Sequence, residues 1–192
     1  FEKEYTVPLS FVLTNEAFEV FVEHNKLQMK IAEAIAVTSR PEKRYETIRE
    51  LLLNGTFPNE MVGEIVESYQ SLGVEQGDSL NSIVAAEEAP FVTVILSPNY
   101  IVPVENSEGI IINVRGLEEL LLAIKECWAC LFTPGNQGFR EEAGISNRNL
   151  NVGILIQHMP TGEVTGEAWS ATRSRSDELT VKTYYGALDI GM

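Results

Sequence analysis

Cations are scarce in this chain: 14 Lys and Arg stand against 28 Asp and Glu over 192 residues, a formal charge of -14. Such a field repels phosphate backbones and anionic head groups, so nucleic acid is excluded as a partner, and so is direct membrane insertion. The local exception, Arg173 and Arg175 in TRSRS, sits in a Ser-rich stretch that reads as a solvated loop. Histidine and cysteine are as sparse, at two each. Cys127 and Cys130 form CWAC, but His24 and His158 are isolated from each other, so a zinc site lacks its second pair of ligands. The two cysteines fall late in a helical pattern, Cys127 at the edge of the apolar stripe and Cys130 further round, and read as packed, reduced thiols. No apolar run approaches the ~18 residues of a membrane helix, and FEKEYTVPLS lacks the pattern of a signal peptide. A first residue of Phe points to a processed or trimmed polypeptide. The sequon at Asn54 is too common a match to imply secretion.

What the chain does have is apolar residues, 44% of the total, enough for a buried core. Phe11 to Leu13 is predicted as a short strand running into a helix capped by Thr14 or Asn15 and continuing to about Val37. Pro41 breaks that helix and opens a second one ending near LLLNG. A third carries Met61, Ile65, Val66 and Tyr69 in one stripe and stops at Gly73. Residues 1–90 therefore read as a mainly helical lobe. Strands are predicted at 91–96, 109–114, 151–159, 162–171 and 178–185. A strong helix over 117–132 interrupts them, with Leu117, Leu120, Leu121, Ile124, Trp128 and Leu131 at intervals of three and four. Residues 91–192 make the strand-rich lobe of one α+β domain, a mixed or antiparallel sheet with that long helix covering it. TPGNQG at 133–138 reads as a turn, since no Lys with Ser or Thr follows it as in a phosphate loop.

NVRGLEELLLAIKECWACLFTPGNQGFREEAGI followed by NVGILIQHM resembles the nucleotide-binding domain of phosphoenolpyruvate synthase and pyruvate phosphate dikinase, shared with water dikinases and rifampicin phosphotransferase. TVPLSFVLTNEAFEVFVEHN is similar to the start of the same domain, so the resemblance runs in order along nearly the whole chain. It implies an ATP-grasp-like fold holding ATP and magnesium between two lobes, in the cytosol or plastid stroma. That chemistry needs cations for the phosphates, carboxylates for the metal, and a Gly-containing loop near the transferring group.

The resemblance aligns Ile95 with the family's phosphate-binding Arg, and Leu96 and Ser97 with its serines. In the following loop it keeps Ser107 and Gly109, with Glu108 between them, a carboxylate that repels a triphosphate unless a metal intervenes. On the last strand it puts Lys182 and Asp189 at two Glu positions, and FEKEY does not match the family's upstream Lys segment. The adenine-side hinge is kept at Gln157, His158 and Met159. Ser107, Gly109, Gln157, His158 and Met159 are thus the expected remnants of an ATP cleft, with no catalytic or metal-ligating residue among them. The leading expectation is a degenerate, non-catalytic relative that serves as a binding or structural subunit for a protein partner. The alternative is the nucleotide-binding domain or a fragment of an active ATP-dependent phosphotransferase. In that case Arg115, Lys125, Arg140, Arg148 or Lys182 supplies relocated cations, and Glu105, Glu108 and Asp189 hold magnesium. A third reading is a sensor that binds nucleotide without turnover.

Overall fold

A computed structural model describes residues 7–73, 89–100, 108–145, 152–159, 164–169 and 180–185. The chain enters through β1 (Ser10–Leu13) and passes into α1 (Asn15–His24) and α2 (Gln28–Val37). The sequence predicts one helix across this stretch, but the structure breaks it at Asn25 and Lys26, the latter at φ 52. The cause lies outside the segment. Asn25 Nδ2 donates to the carbonyls of Phe21 and Thr56 at 2.8 and 2.9 Å, while its Oδ1 accepts from the Thr56 amide at 2.9 Å.

Pro41 occupies the first turn of α3 (Pro41–Leu53), where its missing N–H costs nothing. The helix ends where Lys125 Nζ donates to the carbonyls of Leu53 and Gly55, at 2.8 and 3.1 Å. Burial lowers the pKa of that ammonium. α4 (Asn59–Leu72) buries Met61, Ile65 and Tyr69 of the predicted stripe together with Leu72, while Val66 is half-buried. The Tyr69 hydroxyl donates to the Pro90 carbonyl at 2.6 Å and accepts from the Gly116 amide at 2.9 Å. One side chain thereby fixes the approaches to two later elements.

The sheet consists of β1, β2 (Phe91–Pro98), β3 (Ile110–Arg115) and β4 (Val152–His158), in the order β1-β4-β2-β3. Every pairing in it is antiparallel, one of the two arrangements expected from sequence. Period-two alternation gives it two faces. On one, Val92, Val94, Val152, Ile154 and Ile156 are buried against α5 (Leu117–Cys130) and share its core. Trp128 lies at the centre of that core, its ring centroid 5.0 to 5.7 Å from those of Phe18, Phe21 and Phe57. Cys127 lies inside this core as well, fully buried, not at the stripe's edge.

After α5 comes α6 (Pro134–Glu142), where the two glycines of TPGNQG had suggested a turn. Thr133 caps it, its hydroxyl accepting from the Asn136 amide, and Pro134 opens its first turn. The chain's contacts divide at Met159 and Pro160. The second unit is described by a hairpin of β5 (Val164–Trp169) and β6 (Thr180–Tyr185), paired antiparallel from Val164 with Tyr185 to Trp169 with Thr180. No helix among the described residues is long and apolar enough to cross a membrane.

Candidate functional site

On the outer face of the four-stranded sheet, turned away from α5, side chains are less buried than on the core side. Thr93, Ile95, Leu155 and Gln157 are half-buried there. Phe91, Ile110 and Val12 keep 39%, 47% and 56% of their surface exposed, far more than their neighbours on the core side. Register places Ile95 between Ile110 and Leu155, and Gln157 between Thr93 and Ser10. The result is an apolar strip with one amide side chain near its end.

That end gathers Gln157, His158 and Met159 with Leu9, Phe91 and Arg115. The His158 and Met159 amides donate to the Leu9 and Phe91 carbonyls, each at 2.8 Å. Ladder alternation directs the Gln157 amide at Thr93. Backbone N–H groups that could recognise an adenine edge are therefore spent within the sheet, leaving side chains and carbonyls to meet a ligand. The Gln157 side chain supplies both a donor and an acceptor. Arg115 lies with its guanidinium 4.9 Å from the Phe91 ring centre, and its Nε donates to the Ala89 carbonyl at 2.9 Å.

The opposite end carries Gly109, at φ +99. Its carbonyl accepts from the Leu96 amide at 2.8 Å and from Cys127 Sγ at 3.5 Å. A Cβ at this position would come within 2.7 Å of the Leu96 Cβ, so packing alone requires glycine. Glu108 does not confront the strip as its sequence position suggests: its carboxylate accepts from the Thr133 hydroxyl at the start of α6. On the other side of the connection, Tyr100 stacks on Phe139 at 5.9 Å and accepts from Arg140 at 2.8 Å. Both described ends of the β2–β3 connection are thus fastened to α6. Ser107, with Glu105, Arg148 and Asp189, lies outside the described residues.

Of the cations expected as substitutes, Arg115, Lys125 and Arg140 already have structural duties. Lys125 holds the end of α3, and Arg140, 1% exposed, holds Tyr100. Arg44 donates to Gln137 and to the Thr38 carbonyl, and Arg49 forms a two-pronged pair with Glu126. That pair raises the pKa of the Arg49 guanidinium. Lys182 belongs to β6 in the second unit. Cys127 and Cys130 are free thiols, and burial pushes both upward in pKa, Cys130 to about 11. Such thiols are poor nucleophiles and poor metal ligands.

Among the described residues no three His, Cys, Asp or Glu side chains converge as a metal site. A cavity of about 450 Å³, which shares Val12 with the outer face, lies between β1, α1 and α4. Glu16, Glu60 and Glu64 edge it, and no cation lines it, so it suits phosphate no better than the strip does.

The family described as pyruvate phosphate dikinase, AMP/ATP-binding domain, matches residues 2–86 and 107–189. Phosphoenolpyruvate synthase of Aquifex aeolicus is 26% identical over 163 residues, which cover 80% of this chain and 18% of that protein. Phosphoenolpyruvate synthase of Aeropyrum pernix is 27% identical over 193 residues, 94% of this chain and 22% of that one. Rifampicin phosphotransferase of Bacillus cereus is 24% identical over 170 residues, 86% of this chain and 18% of that one. The chain spans about a fifth of the length of these relatives.

Proposed function

The chain belongs to the family of the pyruvate phosphate dikinase AMP/ATP-binding domain, and from that premise we propose that it binds an adenine nucleotide along the outer face of its sheet, as the nucleotide-holding part of a phosphoenolpyruvate synthase-like phosphotransferase of ATP-grasp type. The observation that carries this reading is the strip itself. An apolar track from Gln157 to Ile95 and Ile110 is only partly buried, on one face of a sheet whose other face carries the fully buried Val92, Val94, Ile154 and Ile156. A purine ring laid on Leu155 and Ile95 covers that apolar surface, with the Gln157 amide at its heterocyclic edge. Magnesium, were it held there, would supply positive charge to offset that of the phosphates. The described residues do not fit it, since their carboxylates are not gathered near the strip.

A second reading, a non-catalytic subunit that engages a protein partner, is favoured by one feature. β2 and the connection after it contain no Lys, Arg or His. Without an arginine to stabilise the transferring phosphoryl group, phosphoryl transfer slows on the order of 10³-fold or more.

Isothermal titration of the chain with AMP and ATP, beside the Gln157→Ala and Leu155→Arg variants, separates these readings. Saturable binding weakened by both substitutions is the expected result. Absence of binding at millimolar nucleotide would remove the nucleotide reading and leave the surface as the functional element.

A further inference from the structure

We infer that the cavity between β1, α1 and α4 is a docking groove for an extended, basic peptide segment of a protein partner, which adds to the sheet as a strand beside β1. Of the residues lining the groove, Val12 alone belongs to the outer face of the sheet, so the inference does not depend on nucleotide binding.

A cavity over one face of a strand is lined by alternate residues, because successive side chains point to opposite faces. This one is lined by Phe11, Val12, Leu13 and Thr14 in unbroken succession, so it runs along the edge of the strand. The sheet order places β1 at one end, paired with β4. The His158 amide donates to the Leu9 carbonyl. Antiparallel alternation then turns the main-chain groups of Leu9, Phe11 and Leu13 toward β4, and those of Ser10 and Val12 away from it. The Val12 N–H and C=O are thus directed to the groove side, a donor and an acceptor spaced for one pair of ladder hydrogen bonds.

The walls are apolar. Ala17 and Val20 of α1, with Met61 and Ile65 of α4, line the groove at the three- and four-residue spacings that share a helix face. Met61 and Ile65 are buried, whereas Val12 and Val20 keep 56% and 45% of their surface exposed. At about 450 Å³ the space admits an apolar side chain together with the main chain that carries it.

The rim is acidic. Glu60 and Glu64 stand one helical turn apart on α4, Glu16 lies in the first turn of α1, and all three are exposed. The described ion pairs, Arg44 with Glu141 and Arg49 with Glu126, use none of them. Carboxylates around an apolar floor match a strand in which Lys or Arg alternates with apolar residues, since long stems lie on the floor while charged heads reach the rim. The net charge of -14 draws such a segment in and repels an acidic one. Strand addition takes its affinity from main-chain hydrogen bonds and its selectivity from alternate side chains.

The test is fluorescence anisotropy of the full 192-residue chain with labelled hexapeptides. The probes are Lys-Val repeated three times, its Glu-Val counterpart, and two N-methylated forms of the Lys peptide, one blocked at the valines and one at the lysines. A dissociation constant on the order of 10–100 μM for the Lys peptide, weakening as salt is added, is the expected result, with no binding of the Glu peptide at about 1 mM. Only one edge of the added strand meets β1, so one N-methylated form should lose about tenfold and the other less than about threefold. Glu64→Lys should weaken the Lys peptide about tenfold. Glu33→Lys, at an exposed position of α2 outside the groove, changes the net charge equally and should cost less than about threefold. Equal losses in these two variants would mean that the peptide answers to overall charge alone, and the inference fails. It fails as well if both N-methylated forms bind like the parent, or if the Lys peptide does not bind at about 1 mM.

Discussion

On the α5 side of the sheet Val92, Val94, Ile154 and Ile156 are closed to solvent, and the nearby helices hold Arg44, Arg49, Lys125 and Arg140 in defined partnerships. On the outer side Ile95, Leu155 and Gln157 remain half-buried, and no Lys or Arg stands anywhere from Phe91 to Val114. The same strands supply both faces, so backbone geometry cannot explain the difference. Residue choice at alternate positions does. In the first unit Arg44, Arg49, Lys125 and Arg140 join helices and hold a connection, whereas along the outer face Arg115 stands at the Phe91 end and the strip beyond it is apolar.

The contrast breaks most readily at the core. Trp128→Ala empties the centre of an aromatic cluster and is expected to cost about 3–5 kcal/mol, measured by chemical denaturation. Val94→Thr keeps the shape but buries a hydroxyl where α5 covers the sheet, at a cost of about 1–3 kcal/mol in the same measurement. A pH titration of stability probes the inner side differently. Burial first, and the Glu108 carboxylate next, raise the Cys130 thiol from 9.0 to about 11. A pKa higher in the folded state means that the contribution is complete below pH 9.0 and lost as pH climbs to about 11. Alkylation of Cys130 in the folded protein should therefore stay slow at pH 8 and accelerate over that window. The smallest effect belongs to the outer face: Ile110→Thr should change stability by no more than about 0.5 kcal/mol. A loss as large as that of Val94→Thr would show that the two faces are not distinct.

Much of the fold was legible because apolar periodicity is a local record of burial. The stripes of α4 and α5 and the strands at 91–98, 110–115 and 152–158 follow directly from it. The break between α1 and α2 was not legible, because Asn25 reaches Thr56 across the fold and neither glycine nor proline marks the site. The start of α6 was written in the sequence, as Thr133 followed by Pro134, but two glycines outweighed it in a reading by composition. At the candidate site, sequence could nominate Gln157, His158, Met159 and Gly109. It could not reveal that two hinge amides are consumed by the sheet, or that Gly109 answers to Leu96. Glu108 shows the same limit, since a position in a loop does not say where a carboxylate will find its donor.

The Tyr69 hydroxyl, bonded to Pro90 at the approach to β2 and to Gly116 just beyond β3, separates placement from chemistry. The strand pair takes its position from a helix earlier in the chain, and that anchor uses no residue of the outer face. Side chains along the strip are therefore free to be rewritten, in nature or by design, without moving the platform that presents them.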